Sequence, residues 1–307
     1  MSSITKLEEM FNLTSNNFHW KNDLIVIAGP TAVGKSNIAL QLAKKINGVI
    51  LNADSVQVYK DLEILSARPN LKIMKLIPHY LYGFVDSSIN FSVADWLSKL
   101  KQKLIDIKKN KQIPILVGGS GLYLNAAING LAPIPVISQN IKDRSLLILN
   151  EIGIDKFRDL IYEIDPIFSN KINDKHRLLR AHSVFLQTNK NLTFWHSQKR
   201  EGMVSNTISS FLISVNRELL YKNCDARFNQ MLVNGGLAEV EEIRNKNINR
   251  SLPIMKSLGV KWLLSYLDGQ LNYDDAVRLS MRDTRNYAKR QLTWFRHNYI
   301  PKKIINL

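Results

Sequence analysis

Eight residues, Gly29-Pro30-Thr31-Ala32-Val33-Gly34-Lys35-Ser36, carry the densest chemistry in this chain of 307. Their spacing is G-x-x-x-x-G-K-[ST], the P-loop, in which glycines let backbone N–H groups face inward on phosphate oxygens. Lys35 would neutralise the outer phosphate, and the Ser36 hydroxyl would help hold Mg²⁺. Asp54 is the next candidate. A carboxylate beside phosphates serves as a metal ligand or general base, and the same residue type also caps helices. A third candidate, Gly118-Gly119-Ser120-Gly121, is either part of the same crevice or a plain turn.

These residues need elements to position them. The apolar run Leu24-Ile25-Val26-Ile27-Ala28 predicts a strand before the P-loop, and Asn37 to Ala43 predicts a helix after it. Val49-Ile50-Leu51-Asn52 predicts a second strand ending near Asp54. Ile113 to Val117, after a helix over 93–109, predicts a third strand ending at the glycines. Strand–helix alternation implies a parallel α/β sheet, whose strand ends face the ligand crevice. From Leu131 the pattern changes. Leu131-Ala132-Pro133-Ile134-Pro135 reads as a linker, residues 142–199 as charged helices, and Phe211 to Val215 as a returning strand. Helices are expected over 218–233, 237–245, 256–267 and 273–297. The expected architecture is a P-loop NTPase-like α/β core with a helical insertion domain. Its boundaries are 1–130 and 206–307 for the core and 131–205 for the insertion.

Composition limits the function classes. Hydrophobic residues at 45% and charged residues at 22% suit a globular core. A net charge of +16 suits a polyanionic partner, either nucleic acid or an anionic membrane, and also a generally basic proteome. The single cysteine, Cys224, excludes an intramolecular disulfide. It falls on the apolar series Leu220, Cys224, Phe228, Met231 and reads as a packed thiol. His79, His176 and His182 lack metal-ligand spacing. The first twenty residues, with Lys6, Glu8 and Glu9, do not read as a secretory signal, and no apolar run reaches the roughly 18 residues of a membrane span. A cytoplasmic monomer is expected.

The last helix carries an inward stripe of Val277, Met281, Thr284, Ala288, Leu292 and Phe295. Beside it runs a basic stripe of Arg278, Arg282, Arg285, Lys289 and Arg296. Residues 278–303 hold eight Lys/Arg against one acid, Asp283, so the acids that would neutralise this face are expected to be missing and phosphate contacts are expected instead. Arg177 and Arg180, three apart on an insertion helix, form a second patch or ordinary surface. A GTPase's N-K-x-D is absent and the third strand ends in Gly-Gly rather than Asp, so a small-molecule or nucleotide kinase fits the P-loop better than a motor or GTPase. A non-catalytic RNA-binding protein with a relic P-loop is the remaining alternative.

Six signatures occur in order. They are the P-loop, then Asp54-Ser55-Val56-Gln57-Val58-Tyr59-Lys60, then Gly118-Gly119-Ser120-Gly121-Leu122-Tyr123. Next come Asn173-Asp174 with Arg177-Leu178-Leu179-Arg180-Ala181, and Cys224-Asp225-Ala226-Arg227-Phe228. The last is Thr284 to Gln291 with Thr293-Trp294-Phe295. With them the chain from about Leu24 to Arg296 resembles the tRNA dimethylallyltransferases (isopentenyl-pyrophosphate:tRNA transferases) in their bacterial form. The resemblance implies transfer of a dimethylallyl group from dimethylallyl diphosphate to N6 of adenosine 37 in the tRNA anticodon stem-loop, without ATP consumption. It implies that Gly29 to Ser36 hold the diphosphate, with Thr31 and Arg217 stabilising its charge. Asp54 would accept the N6 proton, and Ser55, Val56 and Gln57 would line the base pocket. It also implies RNA contacts by Ser120, Lys142, His176, Arg177, Leu178, Leu179, Arg180, Arg282 and Arg285. The chain departs from the pattern at Ser120, where Thr is usual, and at Lys142, where Arg is common. It also departs at Ser66-Ala67-Arg68-Pro69, which replaces Gly-Thr-Ala-Lys-Pro, and at Ser257-Leu258-Gly259-Val260, which replaces Ala-Ile-Gly-Tyr.

Overall fold

The computed structural model describes residues 11, 24–169, 174–200, 202, 204 and 207–307. The first twenty residues, apart from Phe11, and Asn173 of the fourth signature lie outside them. The chain divides into two compact units, one of residues 1–128 with 204–307 and one of residues 129–203.

The first unit is built on a six-stranded parallel sheet. Its strands are β1 (Leu24–Ala28), β2 (Gly48–Asn52), β3 (His79–Tyr80), β4 (Ile113–Gly118), β5 (Ile208–Ser214) and β6 (Lys303–Asn306). They lie in the order β3-β2-β4-β1-β5-β6. β1 therefore sits between β4 and β5, in register Val26 to Leu116 and to Ser210. Every residue of β1 and β2 is buried, as expected of strands covered on both faces. The helices of this unit are α1 (Lys35–Lys45), α2 (Leu71–Leu76), α3 (Val93–Lys109) and α4 (Gly121–Asn129) before the second unit, numbered on as α9 to α12 after it. Those are α9 (Arg217–Val233), α10 (Gly236–Asn245), α11 (Val260–Leu267) and α12 (Tyr273–Asn298). Local chemistry sets their starts: Ser92 and Asp95 form a capping box on α3, and Asn216 and Asn272 cap α9 and α12. The main core joins Ile25, Ile27, Leu42, Ile115, Phe211 and Ala288, with Phe11 edge-on to Phe211 at 4.7 Å.

Sequence patterning misses α2, α4, β3 and β6. The inward stripe of α12 also differs from the expected one. Its buried residues are Ala276, Ser280, Thr284, Ala288, Gln291 and Phe295, so Val277, Met281 and Leu292 lie off the buried row. Ser280 and Thr284 enter the core because their hydroxyls donate to the carbonyls of Ala276 and Ser280, one turn back.

The second unit is helical: α5 (Gln139–Ile164), α6 (Pro166–Ser169), α7 (Lys175–Thr188) and α8 (Leu192–Ser197). Gly153, at φ 80°, breaks α5 into two runs. Leu149, Phe157, Ile161, Leu178 and Val184 form its own core. Among the described residues no helix is long and apolar enough to cross a membrane.

Candidate active site

The P-loop leaves the buried end of β1 and crosses the end of β5 closely. A Cβ on Gly29 would lie 2.7 Å from the carbonyl oxygen of Ile213. Ala32 at φ 61° and Gly34 at φ 94° then turn the chain through left-handed conformations into α1. No side chain caps α1 and no acid stands in its first turn, unlike α3, α9 and α12. The amides that open this helix are therefore available to an anion. Lys35 is half-buried, its Nζ donating to the Pro30 carbonyl at 2.6 Å. Burial, reinforced by the Arg227 guanidinium, pushes its ammonium down to about 7, against an attraction to Asp54.

The β4 end is packed against this loop. A Cβ on Gly119 would meet Gln291 Nε2 at 2.4 Å and the Gly29 carbonyl at 2.7 Å, and one on Gly121 would meet the Trp294 ring at 2.4 Å. The glycine run is thus close packing as well as a turn. Gln291 uses that proximity: its Oε1 accepts from the Thr31 N–H at 2.8 Å and its Nε2 donates to the Gly119 carbonyl at 2.9 Å. α12 therefore fixes the P-loop to the neighbouring strand end.

Asp54 is held at the end of β2. Asn52 accepts from its N–H and donates to its carbonyl, both at 2.9 Å. Asp54 Oδ1 accepts from the Val56 N–H at 2.9 Å, an Asx turn rather than a helix cap. That leaves Oδ2 for other chemistry. Ser120 supports the same turn, accepting from the Ser55 N–H at 3.1 Å. Burial raises Tyr287 and Tyr82 well above the usual phenol range, with Asp54 adding to the shift, so both stay protonated donors beside the carboxylate.

These elements enclose a cavity of about 380 Å³ with Thr31, Asp54, Ser55, Val56, Cys224, Arg227 and Tyr287 on its walls. A second groove, of about 470 Å³, has Ser36, Arg68, His79 and Arg227 in its lining. Arg227 and Met231 line both. Between them runs the segment 63–68, whose backbone N–H groups at Ile64 and Leu65 donate to the two carboxylate oxygens of Glu239 at 2.8 and 2.9 Å. Arg68 folds over the same segment, donating to the Tyr59 carbonyl at 3.0 Å and the Glu63 carboxylate at 2.9 Å. Cys224 is a buried packed thiol, which burial pushes up to about 11.

Several expected site residues stand elsewhere. Arg217 is exposed at the start of α9, donating to the Tyr221 hydroxyl at 2.9 Å, and does not line the cavity. Arg227, ten residues on, is the half-buried arginine that lines the cavity, and desolvation lowers it while Asp54 opposes the shift. The signal for it was present: Cys224, Arg227, Phe228 and Met231 fall at i, i+3, i+4 and i+7, so an arginine sits on the inward face. Gln57 turns its amide onto the Ser66 and Ala67 carbonyls at 2.9 and 3.0 Å, fixing the neighbouring loop instead of lining the cavity. Ser36 opens onto the second groove. In the second unit Lys142, His176, Arg177 and Arg180 are exposed, whereas Leu178 is fully buried in that unit's core, with Leu179 packed against it. The acids expected to be missing from the basic face are supplied by residues outside the counted stretch as well as by Asp283. Arg278 pairs with Asp275 at 2.7 Å, Arg282 with Asp283 at 3.2 Å and Arg285 with Asp225 of α9 at 2.6 Å. Among the described residues no cluster of three or more His, Cys, Asp or Glu could hold a metal by itself.

A parallel sheet, an uncapped P-loop helix, and a cavity lined by the Asp54 carboxylate and the Arg227 guanidinium, with Lys35 near enough to feel the Asp54 charge, together define a P-loop enzyme of group transfer. Known proteins agree. The IPP transferase family model matches residues 57–298, beginning just after Asp54. A tRNA dimethylallyltransferase of Caulobacter sp. (strain K31) is 39% identical over 276 residues, covering 89% of each chain. The full-length tRNA isopentenylpyrophosphate transferase of Bacillus halodurans is 30% identical with a TM-score of 0.67, covering 93% of this chain and 90% of that one. A eukaryotic dimethylallyltransferase acting on tRNA is 28% identical with a TM-score of 0.77, covering 89% of this chain and 70% of that one. The chain belongs to the IPP transferase family and is a transferase.

Proposed function

We propose that this protein transfers the dimethylallyl group of dimethylallyl diphosphate to N6 of adenosine 37, beside the tRNA anticodon, releasing pyrophosphate. The observation that carries this reading is the polarity of one cavity. Asp54 stands on one wall, with Lys35 and Arg227 close enough to feel its charge. An exocyclic adenine amine is a weak nucleophile, so the allylic C–O bond must supply the electrophile as it breaks. Its electron pair leaves on the diphosphate, where the P-loop amides, Lys35 and Arg227 stabilise the growing charge. The N6–C bond forms and the N6 proton passes to Asp54. Thr31, fixed through Gln291, orients the diphosphate. Mg²⁺ would arrive with the diphosphate, since the described residues offer Ser36 and no carboxylate cluster; when bound it would neutralise phosphate charge. The adenosine must leave the anticodon-loop stack to enter a cavity this enclosed. Ser55 and Val56 line its pocket. Lys142, His176, Arg177, Arg180, Arg282 and Arg285 contact the RNA.

The test is incubation with Mg²⁺, dimethylallyl diphosphate and unmodified tRNA, then mass spectrometry of the digested nucleosides. A dimethylallyl mass gain on adenosine, lost with Asp54→Asn, is the expected result. No gain, with ATP-dependent phosphorylation of a metabolite instead, would overturn the reading in favour of a kinase.

A further inference from the structure

The wall between the acceptor cavity and the second groove is one short stretch of chain. Leu65 and Ser66 line the cavity, whereas Glu63, Ile64, Ala67 and Arg68 line the groove. The stretch belongs to no helix and no strand, so side chains must fix its position. One side chain does most of this. Glu239, half-buried in the first turn of α10, accepts the N–H groups of Glu63, Ile64 and Leu65 on its carboxylate at 2.5, 2.8 and 2.9 Å. Three successive amides on one carboxylate form a nest, and hydrogen bonds to an ionised group are the strong ones. The turn into α10 also comes close, since a Cβ on Gly236 would lie 3.0 Å from Leu65 Cδ2. Glu239 itself lines neither space.

The two spaces meet at Arg227 and Met231, which line both, and the P-loop reaches each of them, Thr31 in the cavity and Ser36 in the groove. A diphosphate on the loop therefore has its reacting carbon at the foot of the wall. The acceptor stands on one side and a polar groove on the other. Breaking the allylic C–O bond leaves a carbon that any nearby nucleophile takes. Water entering from the groove would compete with an adenine amine that is itself a weak nucleophile. Keeping water from such a carbon is one of the things a closed site does.

We propose that Glu239 is a positioning residue that keeps this wall shut, and so decides whether the allylic carbon goes to N6 or to water. The inference rests on the proposed prenyl transfer. In the leak, the C–O bond breaks with its electron pair on the diphosphate. A water oxygen bonds the carbon, and the water proton passes to solvent. Dimethylallyl alcohol and pyrophosphate form in place of prenylated adenosine. Glu239 touches neither substrate and acts through Leu65 and its neighbours.

The test uses the full-length protein with Mg²⁺, dimethylallyl diphosphate labelled in the allyl group, and saturating anticodon stem-loop RNA. Prenylated adenosine and dimethylallyl alcohol are counted in the same reaction. The parent should give nearly all of its product as prenylated adenosine. Glu239→Ala removes every acceptor from the nest and should raise the alcohol-to-adenosine ratio about 10- to 150-fold, the range for lost bonds to one ionised group. Glu239→Gln keeps one acceptor oxygen and should fall between the two. Leu65→Ala thins the wall, leaves the Glu239 bonds in place, and should leak as well. Loss of folded protein lowers both products together and leaves their ratio alone, so the ratio separates positioning from stability. Ile107→Ala, a core change in α3 that lines neither space, should lower the melting temperature at the parent's ratio. The parent's ratio in Glu239→Ala would overturn the proposal whatever Leu65→Ala does. Should Glu239→Ala fail to fold, the parent's ratio in Glu239→Gln would overturn it equally. A parent that makes neither product would count against the proposed function instead.

Discussion

Two sets of cations in this molecule are built on opposite terms. Lys35 and Arg227 lie near the strand ends, where desolvation lowers both, and among the described residues no carboxylate forms an ion pair with either. Arg278, Arg282 and Arg285 lie on the outward side of α12, and each is paired with an acid. Solvent supports the second set at little cost, and such pairs contribute little stability. The first set is expensive in the empty protein and becomes favourable only when a polyanion arrives. Unpaired, desolvated charge marks where the chemistry is, and paired surface charge marks, at most, where a partner docks.

The hardest way to break this comparison is to remove Asp54, the acid whose charge both half-buried cations feel. Asp54→Asn keeps an oxygen for the Val56 N–H and the shape of the turn, but cannot take a proton. Single-turnover prenyl transfer should fall about 10²- to 10⁴-fold with RNA affinity retained. A rate within a few-fold of the parent would remove Asp54 as the base. Next in size is the contrast between two arginines of α9. Arg227→Ala should lower kcat about 10²- to 10³-fold, the range for one lost charge-stabilising donor. Arg217→Ala, at an exposed side chain bonded to Tyr221, should stay within a few-fold. The reverse ranking would return the role to Arg217.

Lys35 gives a pH signature. Its ammonium is pushed down to about 7 in the empty protein, from the ordinary 10.5. The unfolded chain therefore holds more protons between those values, and the stability of the ligand-free fold rises with pH across that window, having been lowest below it. Diphosphate reverses the preference by favouring the charged amine. Binding must then take up a proton above pH 7. Affinity for dimethylallyl diphosphate should fall by about tenfold per pH unit there, until the bound-state value is passed. Calorimetry in buffers of different ionisation enthalpy should show uptake of one proton. No uptake at pH 8.5 would mean that Lys35 is already charged without ligand.

Much of this site is readable from the chain because its chemistry is local. The P-loop, the Asp54 turn and the glycine run each sit within a few residues of a buried strand end. Arg227 was readable too, as a charge on an apolar helical face. What the sequence hides is contact across distance. Gln291 reaches Thr31 over 260 positions, Glu239 holds Leu65 over 174, and Asp225 takes Arg285 over 60. Neither end of such a pair is unusual in its own neighbourhood. Counting acids along one stretch therefore misjudged the basic face. The four-residue β6, with Lys303 and Asn306, carries no strand signal of its own and exists because β5 offers it an edge.

The smallest effect tests the surface half of the comparison. On α12, Lys289 and Arg296 are exposed, and neither forms an ion pair among the described residues, whereas Arg282 and Arg285 already hold carboxylates. A cation that meets RNA phosphate displaces condensed counterions, and each such contact steepens the salt dependence by about 0.7 to 0.9 in log–log slope. Replacing Lys289 and Arg296 by Ala should flatten the slope by about that amount per residue. Replacing Arg282 and Arg285 should flatten it by less, because their carboxylates must first be released and then face the RNA. Asp225 stands against Arg285 and Asp283 against Arg282, so removing either arginine also strands an acid beside the phosphates. Affinity should thus fall more than the slope predicts. Equal slopes for the two pairs would mean that RNA strips the arginines from their partners, and pairing in the free protein would then say nothing about docking.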